Sequence, residues 1–260
     1  IANANTIYVG TFEGNVFKID LTAQNARGRK KKIHEDIGPI KELHFNSKSN
    51  KLIIVSSNSV AVYDGEKSSE LTRTNSINAS YYNQEFGKLY IATNEGLYAL
   101  LGSELKAISL RKMNLSNDKI SAIAFTQNRM FLGTGSGVLF VYDVIDENKF
   151  RTSVEFDDKI VLHRSEITKL FYDQSNDNLY SASFDNKILK FDTTLEDLNK
   201  ITNSVISLTG HQKWVWDINL IEDQQGNYLV VTADENGNLL SWFDKIDKLV
   251  QKVELLILKN

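Results

Sequence analysis

Met130-Phe-Leu-Gly-Thr-Gly-Ser-Gly-Val-Leu-Phe-Val-Tyr-Asp143 holds two apolar, strand-forming runs joined by a glycine-rich turn. Five other stretches repeat the design: Ile7-Tyr-Val-Gly-Thr with Val16-Phe-Lys-Ile-Asp20, Lys51-Leu-Ile-Ile-Val with Val60-Ala-Val-Tyr-Asp64, Leu89-Tyr-Ile-Ala-Thr with Leu97-Tyr-Ala-Leu, Leu179-Tyr-Ser-Ala-Ser with Ile188-Leu-Lys-Phe-Asp192, and Tyr228-Leu-Val-Val-Thr with Leu239-Leu-Ser-Trp-Phe243. The last apolar residues of the second runs, Ile19, Tyr63, Leu101, Tyr142, Phe191 and Trp242, are separated by 44, 38, 41, 49 and 51 positions. A period of about 40–45 residues is the length of one four-stranded propeller blade. A further alternating strand precedes most pairs, as in Ile40-Lys-Glu-Leu-His-Phe45, Ile77-Asn-Ala-Ser-Tyr81, Ile120-Ser-Ala-Ile-Ala-Phe125, Ile167-Thr-Lys-Leu-Phe171 and Val215-Trp-Asp-Ile-Asn-Leu220. Ser204-Val-Ile-Ser-Leu208 is one candidate for the fourth strand.

Composition agrees with one soluble repeat domain. The 260 residues include no cysteine, one proline (Pro39), 14 glycines, and 30 basic against 33 acidic side chains. The cysteine count excludes disulfides, thiolate metal sites and cysteine nucleophiles, and fits a reducing, cytoplasmic setting. A net charge of −3 supplies no global field for nucleic acid, and no apolar run approaches the roughly 20 residues of a membrane helix.

The most informative copy runs Gly210-His211-Gln-Lys-Trp-Val215, then Thr232, Asn236-Gly237 and Trp242. It resembles a WD repeat, whose His, Ser/Thr, Asp and Trp form a hydrogen-bonded tetrad that locks a blade. The resemblance implies such a tetrad from His211, Thr232, Asn236 in place of Asp, and Trp242. In the preceding copy it implies one from His163, Ser181 and Asp185, with Phe191 unable to donate. The expected fold is therefore an all-β, WD-repeat-like β-propeller over residues 1–243, with six recognisable blades, or seven if upstream residues supply one. The first copy lacks an inner strand ahead of Ile7. Ile246, Leu249, Val250, Val253, Leu256 and Ile257 have helical spacing, so a short amphipathic helix packed on the propeller is expected over residues 244–260. A Ser-Trp-Phe strand followed by such a helix resembles the tails of WD-repeat domains in large bacterial signalling proteins carrying a STAND-type nucleotide switch or a caspase-like module. Thr193 and Glu196 have capping-box spacing for another short helix.

Several stretches imitate chemistry without completing it. Gly133-Thr-Gly-Ser-Gly137 precedes a strand, where a phosphate loop would open a helix, so it reads as a turn. Asp173-Gln-Ser-Asn-Asp177 and Asp234-Glu-Asn-Gly-Asn238 alternate oxygen ligands but lack the closing acid of a calcium loop. His34, His44, His163 and His211 show no zinc-helix spacing, and no Gly-x-Ser-x-Gly elbow exists, so no catalytic residue, metal or cofactor is assigned. Arg27-Gly-Arg-Lys-Lys-Lys32 is placed on a solvated outer loop.

Trp214 and Trp216 flank Val215 and share one face of a strand. They read either as packing between blades or, with Arg164, Glu166 and Lys213, as the aromatic and charged lining of a partner-binding face. The functional expectation is a non-enzymatic scaffold or sensor domain of a larger signalling protein, taking a protein or peptide on a propeller face. The alternative is a propeller enzyme or small-ligand sensor working through its central channel.

Overall fold

The computed structural model describes residues 2–3, 5–24, 29–36, 38–110, 118–146, 149–152, 160–194, 198–222, 228–243 and 248–254. They form six antiparallel sheets, three in each of two compact units, 1–108 and 109–260. In the first unit, β1 (Ala2–Asn3), β2 (Thr6–Gly10), β3 (Asn15–Asp20) and β4 (Lys30–Glu35) make blade 1. Blade 2 follows with β5 (Ile40–Asn46), β6 (Lys51–Ser56), β7 (Ser59–Tyr63) and β8 (Ser68–Arg73), and blade 3 with β9 (Ala79–Asn83), β10 (Lys88–Thr93), β11 (Gly96–Leu101) and β12 (Glu104–Ile108).

The second unit opens with β13 (Ile120–Phe125), β14 (Arg129–Thr134) and β15 (Val138–Asp146) of blade 4, whose outer edge is divided between β16 (Lys149–Thr152) and β17 (Ile160–Val161). Blade 5 contains β18 (Ile167–Asp173), β19 (Asn178–Ser183), β20 (Ile188–Asp192) and β21 (Ile206–Leu208), with helix α1 (Leu198–Ser204) inserted before β21. Blade 6 contains β22 (Val215–Glu222), β23 (Tyr228–Asp234), β24 (Asn238–Phe243) and β25 (Lys248–Glu254). The architecture is all-β and six-bladed, as the repeat predicts.

Each sheet presents apolar side chains on both faces, so neighbouring blades must cover one another. Ala122, Phe131 and Val141 of blade 4 pack with Ile167, Leu179 and Phe191 of blade 5. Tyr180, Ala182 and Ile188 of blade 5 pack in turn with Val215, Ile218 and Trp242 of blade 6. Full burial of side chains this large stabilises by about 1.5–3 kcal/mol each relative to exposure. The small residue in the Tyr-Val-Gly-Thr and Phe-Leu-Gly-Thr runs has a packing cause. A Cβ on Gly133 would lie 2.8 Å from Ile167 Cγ2, and the same atom on Gly10 would collide with Ile40 Cγ2. The first aliphatic residue of the next inner strand occupies that space.

Three expectations change. Lys248–Glu254 is a strand paired antiparallel with β24, not part of a helix; the rest of 244–260 lies outside the described residues. The free edge of β24 offers a row of backbone groups to satisfy, and six paired positions outweigh a helical spacing of apolar side chains. A two-residue β1 pairs with β2 and supplies a short first strand to blade 1. Lys30, Lys31 and Lys32 belong to β4, where Lys30 Nζ lies 3.8 Å from the Phe17 ring centroid; they are not on a loop. Helix α1 covers Leu198–Ser204, Thr193 binds the Asp177 carbonyl through both its amide and its hydroxyl, each at 2.8 Å, and Glu196 of the expected capping box lies outside the described residues. Buried Ile201 anchors α1 to the core of blades 4 and 5.

Gly137 ends the turn before β15 with φ 83°, and a Cβ there would overlap the His163 carbonyl. Gly137→Ala is expected to lower stability by about 1–3 kcal/mol in urea denaturation, from combined backbone strain and clash.

Candidate functional site

The buried polar chains of blades 5 and 6 are built alike. His163 stands four residues before Ile167, and His211 four before Val215. His163 Nε2 lies 2.8 Å from Ser181 Oγ, and its Nδ1 lies 3.1 Å from both carboxylate oxygens of Asp185. His211 Nε2 lies 2.7 Å from Thr232 Oγ1, and its Nδ1 is 2.9 Å from Asp234 Oδ2. The acid in blade 6 is thus Asp234, not Asn236. Asp234 reaches the imidazole with one oxygen while the other accepts the amides of Asn236 and Asn238 at 3.0 Å, so one carboxylate serves histidine and turn together. Asn236 contributes only its amide to this cluster. Trp242 is buried with its ring centroid 5.9 Å from that of His211, whereas Phe191 packs edge-on against Phe131 at 6.4 Å.

Burial pushes the Asp185 carboxyl up, but hydrogen bonds from His163 and from the Arg164 and Lys187 amides outweigh it and hold the group at about 2. Asp234 is likewise held below its ordinary value: burial raises it, while His211 and Asn238 lower it by more. Hydroxyl, imidazole and carboxylate in this order have the contacts of a hydrolytic relay. Ser181 is 0% and Thr232 1% exposed, however, so no substrate reaches either hydroxyl. A looser cluster joins His44 Nε2 to Ser80 Oγ at 2.8 Å and to Glu42 Oε2 at 3.1 Å. Its carboxylate meets the same imidazole nitrogen as the hydroxyl, leaving no relay through the ring. No group of three or more His, Asp or Glu side chains among the described residues is placed to hold a metal.

The repeat also locates an accessible site. The residues before the leading aliphatic of the inner strand are Lys119 in blade 4, Glu166 in blade 5 and Trp214 in blade 6; those after it are Ser121, Thr168 and Trp216. Each of these inner strands is irregular at the second position, between Ile120 and Ala122, Ile167 and Lys169, and Val215 and Asp217. Lys119 Nζ pairs with Glu166 at 2.9 Å, the Ser121 hydroxyl donates to the Ile167 carbonyl at 2.7 Å, and Thr168 donates to the Val215 carbonyl at 2.6 Å. The polar stitching that runs from blade 4 to blade 6 meets a tryptophan at both positions there. Trp214 and Trp216 remain 44% and 50% exposed, so neither is core packing between blades. Phe184, from the turn between β19 and β20, joins them with centroid distances of 4.8 Å to Trp214 and 4.7 Å to Trp216; the two indoles are 6.5 Å apart. Arg164 and Lys213 are exposed, and Glu166 is committed to Lys119. Sequence reading missed Phe184, whose signal is a large aromatic at a turn position held by Gly135 in blade 4 and Glu235 in blade 6.

No family model matches the sequence, and no curated protein matches it. Solved structures do. The WD40 β-propeller domain of Doa1 superposes with a TM-score of 0.70 at 14% identity, covering 98% of this chain and 80% of that one. Sqt1 of Saccharomyces cerevisiae gives 0.65 at 18% identity, over 92% and 69% of the two chains. The computationally designed protein Ika8 gives 0.65 at 17% identity, over 97% and 72%. A chain of the mitotic checkpoint complex gives 0.61 at 16%, over 83% and 66%. These likenesses establish a WD40 β-propeller fold. No helix among the described residues is long and apolar enough to cross a membrane.

The two histidine chains make distinct demands. His211→Ala is expected to destabilise by about 1–3 kcal/mol in urea denaturation, because Thr232 and Asp234 lose a buried partner. The Asp185 carboxylate, at about 2 against an ordinary 3.8, contributes stability that is complete above the ordinary value and lost as pH falls through the folded value. Asp185→Asn should therefore cost stability at neutral pH and flatten the acid limb of the stability profile between those two values.

Proposed function

We propose that this chain is a non-enzymatic protein-interaction scaffold that takes a peptide segment of a partner protein on the Phe184, Trp214 and Trp216 surface. The observation that carries the reading is the pair of tryptophans standing exposed where blades 4 and 5 use Lys119, Glu166, Ser121 and Thr168 to tie one blade to the next. The tryptophans forgo the bonds that hydroxyl and charged residues make at the same stations and leave about half of each side chain in water. An occupant that covers them recovers that area, since Trp and Tyr anchors carry a disproportionate share of interface energy. Exposed charges at Arg164, Lys187, Lys213, Asp217 and Glu235 fit the charged rim of such an interface. The inaccessibility of Ser181 and Thr232 supports a non-enzymatic role. Solved relatives in fold include a chain of the mitotic checkpoint complex, which is consistent with assembly work.

A place for this scaffold in a cytoplasmic signalling protein, beside a nucleotide-switch or caspase-like module, rests on the resemblance of the tail alone. The strand at Lys248–Glu254 weakens it, because the resemblance leaned on a helix there.

The test transplants the blade 5 residues into blade 6. Trp214→Glu with Trp216→Thr places at each station a residue that blade 5 already accommodates. The thermal midpoint should stay close to wild type, as exposed substitutions usually shift stability by about 0.5 kcal/mol or less. Peptides selected from a displayed library on the wild-type protein should bind the double variant at least about tenfold more weakly. Peptides that bind both proteins equally would sink this assignment.

A further inference from the structure

The first unit holds a cleft between blades 2 and 3 that the aromatic surface does not explain. Its volume is ≈140 Å³. Ile53 and Val62 of blade 2 and Leu89 and Leu100 of blade 3 form its apolar walls, and Lys51 and Tyr82 stand at its lining as well. Lys51 is exposed, and neither its ammonium nor the Tyr82 hydroxyl has a hydrogen-bonding partner among the described residues. No carboxylate lines the cleft among those residues, so its only charge is positive. Gly87, at φ 63°, borders the hydroxyl, and even a Cβ there would sit 3.8 Å from the Tyr82 oxygen, so nothing from that turn crowds the donor.

We infer that this cleft binds a free small monocarboxylate with an aromatic or branched aliphatic body, the body between the blades and the carboxylate on Lys51 and Tyr82. A cavity of roughly 150 Å³ accommodates benzene, and this cleft, of similar volume but open to solvent on one side and lined also by Asn46 and Ser49, limits the body to single-ring size. Few polar groups at the edge of an apolar pocket fix the orientation of a ligand. An ammonium and a phenol are both donors, and together they match an oxyanion while repelling a cation. The inference stands apart from the peptide-binding surface, since it uses none of its residues and lies in the other unit.

The experiment titrates the purified protein with benzoate, benzyl alcohol and N-acetylphenylalanine, read by ligand-detected saturation-transfer NMR. Benzoate should bind at least about tenfold more tightly than benzyl alcohol, which has the ring without the charge. Lys51→Met and Tyr82→Phe, each with a thermal midpoint near wild type, should each remove most of that difference. Leu100→Phe, which narrows the cleft without touching the donors, should weaken benzoate. N-acetylphenylalanine carries the same ring and carboxylate behind an amide, as a protein chain end does, and should bind at least about tenfold more weakly than benzoate because the cleft is too small. The inference is overturned by equal affinity for benzoate and benzyl alcohol, by benzoate binding that ignores all three variants, or by no benzoate binding. Equal binding of N-acetylphenylalanine would overturn the assignment to a free acid.

Discussion

Each four-stranded sheet in this protein has two apolar faces, and no blade can bury both alone. The rest of the structure depends on how that is met: the leading aliphatic residue of one inner strand seats against the second strand of the neighbouring blade, at two places over a glycine. Gly10 receives Ile40, and Gly133 receives Ile167. The repeated Gly or Ala in the second strand is therefore neither a flexible joint nor a remnant of a phosphate loop. At Gly10 and Gly133 the missing side chain lets the sheets close on the seat, and a Cβ there would push Ile40 or Ile167 away; blade 2 carries Val55 at this place, packed with Ile77.

With packing carried by aliphatic seats and backbone ladders, the polar station four residues before each seat is free to diverge. Blades 5 and 6 keep histidine there. In blade 2 the station holds Asp36, which accepts the Ser59 hydroxyl, and in blade 3 it holds Arg73, which pairs with Glu70 and with Asp36 at 3.5 Å. In blade 4 the turn is held instead by Asp118, whose carboxylate takes the Ser136 amide at 3.2 Å and its hydroxyl at 2.5 Å. Burial raises the Asp118 pKa and these bonds lower it by more, leaving it below its ordinary value. Different chemistry, exposed in blades 3 and 4, stands where blades 5 and 6 bury a histidine, so the sequence motif fades toward the start of the chain while the blades persist.

The same redundancy explains how a binding surface can arise without disturbing the fold. In blades 4 and 5 the positions beside the seat stitch blades together through a half-exposed ion pair, which water screens, and through hydroxyl-to-carbonyl bonds worth about a kcal/mol net each. Replacing both by tryptophan in blade 6 forgoes a modest amount of stability and places two large rings at the start of an inner strand, where Phe184 from the β19–β20 turn of blade 5 packs on them. The site is a local departure from the repeat, held in place by residues that still obey it.

Strand period, turn residues and the interval between copies were legible in the sequence because they follow from backbone geometry and local conformational preference. So were the partners of His163, since Ser181 and Asp185 keep the spacing of the motif. Three features were not. Asp234 replaced Asn236 because a carboxylate two residues nearer the strand can span histidine and turn, a matter of reach through space. Lys248–Glu254 became a strand because β24 presented an open edge, which the helical spacing of its own apolar residues could not reveal. Trp214 and Trp216 shared a face on either reading, but only the packed neighbours could show that the face is left in water. The chain by itself determines what repeats, because repetition is written locally; tertiary structure decides which repeated positions are covered, because exposure belongs to the neighbours of a residue and not to the residue.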